Sequence, residues 1–171
     1  MQTYKAALIG CSRMGAFIDN EVPPAMRPYS HAAGYEACDR TDLIACADLR
    51  PDAMEQVGTR YSIPADKQYT DYRELLEREK PEIVSIATQP EHRTEIIVAS
   101  AEAGARAIYA EKALCASMAE ADRIVEVCQA HGVALNMGTN RRFDPGYDQM
   151  KAVIDSGQIG ALKTLIIHQT S

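Results

Sequence analysis

The sequence predicts an α/β fold: a Rossmann-type, doubly wound, mainly parallel sheet, followed by a helix and a β-rich run that either joins this sheet or starts a second domain. Three observations predict it. Short apolar runs alternate with helical segments five times over about 135 residues, the order expected of a sheet with helices on both faces. A glycine turn, Gly10-Cys11-Ser12-Arg13-Met14-Gly15, follows the first run directly. The residues with chemistry to offer sit where strands end, at this turn, at Asp48, at Thr88 to His92 and at Glu111-Lys112. Open α/β sheets bind ligands beyond those strand ends, near the switch in strand order.

Each element has its own signal. Tyr4 to Ile9 is a short apolar strand. Residues 19–30 hold three prolines and interrupt the helix expected after the glycine turn, so they read as an inserted surface loop, either plain or serving as a lid or oligomer contact. Asp42 to Ala47 is the second strand, and Pro51 opens the helix after it. Thr70 to Glu79 is a short helix closed by Pro81, and Glu82 to Ala87 is an apolar strand of the kind buried on both faces. A helix from about Glu91 to Ala103 stops at Gly104, and Arg106 to Ala110 is a strand. Ser117-Met118-Ala119-Glu120 is a capping box for a helix carrying Ala121, Ile124, Val125 and Cys128 on one face. Gly132 ends it, and Val133 to Met137 is the next strand. Beyond residue 138 the chain changes character, through a polar connection at 140–145, a helix over about Gly146 to Ser156, and a β-rich run, Ala161 to His168. The expected organisation is residues 1–138 as a dinucleotide-binding domain and 139–171 as a connection, a helix and that β-rich run, which needs a partner strand in the main sheet or in a second domain.

Composition excludes several classes. With 24 acidic against 18 basic residues the net charge is −6, which disfavours a basic nucleic-acid surface. No Trp and two Phe leave little for stacking on single strands. No apolar run reaches the roughly 18 residues needed to cross a bilayer, and the N-terminus lacks the pattern of a secretory signal. Five scattered cysteines without a CxxC, and four scattered histidines, lack metal-ligand spacing and read as reduced thiols in a cytoplasmic protein. No metal, nucleic-acid or membrane partner is expected.

The glycine turn is a GxSxxG, with Ser12 where a second glycine commonly allows close approach to a pyrophosphate. A helix after it would direct free N–H groups and a positive dipole at phosphates, although the same letters also occur in plain turns. Asp48 ends the second strand, where a carboxylate accepts ribose hydroxyls and repels a 2′-phosphate. It lies 33 positions after Gly15 rather than the usual span of about 20, and the 19–30 insertion accounts for much of the excess. This favours NAD, with NADP open because Arg50 is near; a solvated turn carboxylate is the plainer reading. Lys112, at a strand end in a cleft, is suited to donate to a substrate hydroxyl or carbonyl. His92 is either a site residue or an ordinary first-turn helix residue. Arg141 and Arg142 either bind an anion or form ion pairs. His31, His131 and His168 read as structural.

In this order, ALIGCSRMG, Asp48 after LIACA, IVSIATQPEHR, YAEKAL, NRRFDPGY and IDSGQIGALKTLIIH resemble the Gfo/Idh/MocA oxidoreductases, over essentially the whole chain. The resemblance implies that Gly10, Ser12, Arg13, Met14 and Gly15 cradle an NAD(P) pyrophosphate and that Asp48 binds the adenosine ribose. It implies that Thr88, Gln89 and His92 line the nicotinamide half, and that Glu111 contacts the nicotinamide ribose. Lys112 matches the family lysine that binds the reacting hydroxyl and assists its proton transfer, and Asn140 and Arg141 match the stretch reaching cofactor and substrate. The implied substrate is a sugar, cyclitol or similar polyol, and residues 139–171 become, by the same resemblance, a connection with only the first helix and strand of a second α/β domain, a truncated substrate domain. Two departures stand out: Ala113 replaces the proline of the family's Glu-Lys-Pro, and the catalytic histidine of the second domain has no counterpart. Two other readings remain, a non-catalytic dinucleotide-binding or interaction domain and a methyltransferase. The terminal KTLIIH run, as an exposed strand edge, predicts a homo-oligomer.

Overall fold

The structure is a computed structural model that describes residues 2–168. Its six strands are β1 (Tyr4–Ile9), β2 (Thr41–Ala47), β3 (Gln68–Tyr69), β4 (Ile83–Ile86), β5 (Ala107–Ala110) and β6 (Ala134–Met137). All neighbours pair in parallel, in the order β3-β2-β1-β4-β5-β6. The helices between them are α1 (His31–Glu36), α2 (Pro51–Tyr61), α3 (Tyr72–Glu79), α4 (Pro90–Glu102) and α5 (Met118–His131). The predicted doubly wound α/β sheet is therefore present, and its strand order switches between β1 and β4.

Alternation along β1 shows why the central strands read as unbroken apolar runs. Ala7 and Ile9 join one buried cluster, with Val84, Ile86, Ile97, Ile108 and Ile124, while Leu8 joins another, with Cys46, Val57 and Ala32. Both faces are covered, so neither alternate position is free to be polar. Edge strand β6 alternates instead: Ala134 and Asn136 are exposed while Leu135 and Met137 are half-buried.

Several local features depart from the sequence reading. β3 was not anticipated: two residues give no periodic signal. They are held by Asp48, whose N–H donates to Tyr69 at 3.2 Å, and by Glu79, which bonds the Tyr69 hydroxyl and ion-pairs with Lys67 at 2.8 Å. Burial and that carboxylate push the Tyr69 phenol up to about 12. The helix after the glycine turn is one π turn, Arg13–Phe17, followed by two 3₁₀ turns. The 19–30 insertion closes on itself. Buried Asp19 accepts the N–H groups of Tyr29 at 2.8 Å and Ser30 at 2.9 Å, and Ser30 in turn caps α1 by accepting the Ala33 N–H. At α5 the box is offset: Ser117 accepts Glu120 N–H, but the Glu120 carboxylate takes the N–H of Ala116, one residue before the cap. Val125, expected on the buried face, is 46% exposed.

The chain divides into two compact units, Met1–Gly138 and Thr139–Ser171. The second holds a 3₁₀ turn, Asn140–Phe143, and α6 (Pro145–Asp155), capped by Asp144 accepting Gly146 N–H at 2.7 Å. The strand expected over 161–168 is a correction: residues 162–168 carry no regular structure, and Leu165, Ile166 and Ile167 are 59–74% exposed. A strand needs a partner for its backbone groups, and an isolated one is not stable. The expected edge for oligomer pairing is thus not formed. The last residues of the chain, 169–171, lie outside the described residues.

Candidate functional site at the switch point

The site begins where β1 ends. Gly10 has φ of +99°, which disfavours any side chain, and a Cβ on it would lie 2.8 Å from the Ala87 carbonyl. A Cβ on Gly15 would lie 2.0 Å from the Gly10 oxygen. The two glycines let the turn fold onto itself and onto the end of β4. Ser12 and Arg13 are exposed and Met14 is half-buried. They open the π turn, whose first N–H groups have no partner within it. This fits a pyrophosphate through backbone donors, whereas the long helix dipole expected from the sequence is reduced to a single turn. The Arg13 side chain pairs with Glu21 of the insertion at 2.8 Å, both groups being solvent-exposed.

Asp48 faces the turn from the end of β2. One carboxylate oxygen accepts Cys11 N–H at 2.7 Å and the other accepts Arg50 N–H at 2.9 Å. The carboxylate is thereby oriented by the glycine turn itself, and Arg50 is drawn to Asp52. A ribose would meet fixed acceptors here and a 2′-phosphate would meet a fixed negative charge.

Across the switch, the ends of β4 and β5 come together through a residue the sequence reading passed over. Arg93, on α4, is 2% exposed, and its guanidinium donates to the carbonyls of Thr88, Glu111 and Ala113. Burial lowers its pKa. The signal was in the sequence: Arg93 falls in the stripe of Ile96, Ile97, Ser100 and Ala101, an arginine at a core position of an apolar face. Arg93→Met is expected to cost about 3 kcal/mol in urea unfolding, because three carbonyls lose a charged donor in a buried setting. A loss below about 1 kcal/mol would show that the guanidinium does not hold the two loops.

Glu111 is 7% exposed, and the Lys112–Ala113 peptide bond beside it is cis. Its carboxylate accepts Lys112 N–H at 3.1 Å and contacts His31 Nε2 at 3.3 Å. Burial alone pushes this carboxyl up. The hydrogen bond and charge of His31, with the Lys112 N–H and ammonium, outweigh burial and hold the group below its ordinary value of 4.5. A lowered carboxylate contributes stability that is present above its unfolded value and is lost as pH falls through the folded one. Glu111→Gln is therefore expected to flatten the fall of the thermal midpoint below about pH 5. An acid limb as steep as the parent's would contradict this.

Lys112 is exposed beside the Glu111 carboxylate, and Gln89 and His92 are exposed at the start of α4. The structure thus gathers Gly10, Ser12, Arg13, Met14, Gly15, Asp48, Thr88, Gln89, His92, Glu111 and Lys112 at adjoining strand ends. Asn140 and Arg141 stand on the 3₁₀ turn of the second unit. His31, read as structural, lies buried against the Glu111 carboxylate; no local sequence pattern signals that contact, because 80 residues separate the two. The five cysteines are free thiols. Among the described residues there is no group of three or more potential metal ligands and no helix long and apolar enough to cross a membrane.

Comparison with known proteins points the same way. Residues 4–139 match the family described as "Oxidoreductase family, NAD-binding Rossmann fold". Inositol 2-dehydrogenase of Salmonella typhimurium is 32% identical over 167 residues, 97% of this chain and 45% of that protein. Scyllo-inositol dehydrogenase from Lactobacillus casei, solved with NAD(H) and scyllo-inositol, shares the fold at a TM-score of 0.79 and 19% identity, over 93% of this chain and 43% of that one. An oxidoreductase from Agrobacterium radiobacter, solved with NAD+, L-tartaric acid and magnesium, superposes with a TM-score of 0.76 at 25% identity, over 93% and 42% of the two chains. The chain spans about half the length of the curated relatives it matches.

Proposed function

The chain belongs to the Gfo/Idh/MocA oxidoreductase family, and from that premise we propose that it is the cofactor-binding part of an NAD(P)-dependent dehydrogenase. The substrate class is a hydroxyl-bearing cyclitol, sugar or related polyol, in keeping with the inositol dehydrogenases it resembles. The observation that carries the reading is the bond from Cys11 N–H to Asp48, which joins a glycine turn and a ribose-type acceptor at the switch point of the sheet. The N–H groups opening the turn at Ser12, Arg13 and Met14 bind the pyrophosphate between Gly10 and Gly15, and Asp48 takes the adenosine ribose hydroxyls. Thr88, Gln89 and His92 line the nicotinamide side, with Glu111 at the nicotinamide ribose. When bound, the cofactor supplies the hydride acceptor or donor at its nicotinamide carbon. Lys112 Nζ holds the substrate hydroxyl and exchanges its proton, and Asn140 and Arg141, on the 3₁₀ turn of the second unit, are assigned substrate-binding roles by the family pattern. The free thiols support a cytoplasmic setting.

Calorimetric titration of this chain with NADH and NADPH tests the reading. NADH is expected to bind at least about tenfold more tightly, and Asp48→Asn is expected to remove that preference. Tighter binding of NADPH would transfer the ribose-reading role from Asp48 to Arg50. Binding of neither would leave a non-catalytic interaction domain as the better description.

A further inference from the structure

We propose that His31 is a positioning residue for Lys112 and acts through Glu111. The proposal rests on the reading of Lys112 as the proton-handling group. His31 is 7% exposed, and its two ring nitrogens reach different strands of the sheet. Nδ1 lies 2.9 Å from Ser85 Oγ on β4, and Nε2 lies 3.3 Å from Glu111 Oε1 at the end of β5. Tyr35 Oη donates to the same Ser85 oxygen at 3.1 Å. A carboxylate only accepts, so Nε2 presents its N–H to Glu111, while Ser85 Oγ occupies the other ring nitrogen. Tyr35, Ser85 and His31 thus form a connected series that ends on Glu111, and the other Glu111 oxygen takes the Lys112 N–H.

The neighbours leave the carboxylate little freedom. Tyr109 lies against the imidazole with ring centroids 4.7 Å apart. Gly138 also crowds it, since a Cβ there would come within 2.9 Å of Glu111 Oε1. Arg93 holds the Glu111 and Ala113 carbonyls. The Glu111–Ala113 turn is thus gripped by its carbonyls from α4 and by its carboxylate from α1. Delivery of His31 depends on the insertion: Asp19 closes that segment onto Tyr29 and Ser30, and Ser30 caps the helix that His31 begins. A supporting shell of this kind fixes the direction from which a side chain approaches the reacting atoms, where an error of about 1 Å costs up to about 100-fold.

Competitive acetylation of the chain across a pH series, read at Lys112 by peptide mass spectrometry with and without NADH, separates positioning from simple stabilisation. Exposed Lys5, at the start of β1, serves as the internal reference. In His31→Leu the Lys112 labelling profile is expected to move along the pH axis while Lys5 stays unchanged, and NADH protection of Lys112 is expected to fall about tenfold. His31→Gln, which retains an N–H donor for Glu111, is expected to recover most of both. A His31→Leu chain whose Lys112 profile and protection equal the parent's overturns the proposal. Should that variant not fold, Ser85→Ala, which removes the hydrogen-bond partner of Nδ1, is read instead, and an unchanged Lys112 profile there overturns it equally. Failure of the parent chain to bind NADH defeats the cofactor reading, whereas the NADH-free labelling profile still decides the role of His31.

Discussion

On the role proposed for Lys112, Lys112→Ala is expected to lower kcat by about 10²- to 10⁴-fold, the usual loss when a positioned proton-transfer group is removed. Affinity for NADH is expected to change by no more than a few-fold. The split follows from the geometry. Lys112 is an exposed side chain on a turn whose backbone is held by other groups, through the Glu111 carboxylate on its N–H and the Arg93 guanidinium on the flanking carbonyls. Deleting the ammonium leaves those contacts in place, so the turn and the cofactor cradle persist while proton exchange with the substrate hydroxyl is lost. Steady-state kinetics over a panel of cyclitols and sugars, beside a calorimetric titration, measures both halves. Retention of full turnover would remove Lys112 from the chemistry.

The second large effect concerns a single hydrogen atom. Gly15→Ala is expected to abolish measurable dinucleotide binding and to destabilise the fold by about 3 kcal/mol, at the high end of overpacking penalties. The new Cβ would lie 2.0 Å from the Gly10 carbonyl oxygen and 3.1 Å from its carbon. Those are backbone atoms whose neighbours are fixed by sheet bonds: Gly10 N–H donates to Ala47 at 2.8 Å and Ala87 N–H to Ile9 at 2.8 Å. Nothing can yield without opening the end of β1. Gly34→Ala is the matched control. It lies within α1 with nothing within 4 Å of a new Cβ, so it is expected to be neutral or to stabilise by about 0.5–1 kcal/mol through reduced chain entropy. Urea unfolding of the two variants, with NADH titration of each, checks the contrast. Equal behaviour of the pair would show that the close approach at Gly15 is not a constraint.

Much of the architecture was legible because its signals are local. The central strands are short apolar runs since both faces of the sheet are covered, and Ser117, Gly104 and Gly132 mark helix ends through groups that act within a few residues. The strand-end positions of Gly10, Asp48, Glu111 and Lys112 follow from the same pattern. What escaped was of two kinds. β3 has two residues and owes its place to Asp48 and to the Tyr69–Glu79 contact rather than to any periodicity. The run over 161–168 had strand propensity, but propensity in a strand is realised only against a partner, and these residues have no regular structure.

By itself, then, the sequence determined the class of fold, the order of its elements, the glycine turn and the acidic and basic residues that strand ends would present, because each is written in a window of a few residues. Tertiary structure alone decided that His31 and Ser85 stand behind Glu111, that Arg93 ties the ends of β4 and β5, and that Asp48 is oriented by Cys11 N–H. These contacts join residues 18 to 80 positions apart for Arg93 and His31 on Glu111. Such pairings exist only once the parallel crossovers have brought distant strand ends together, and a buried polar group takes whichever partner that assembly places within reach.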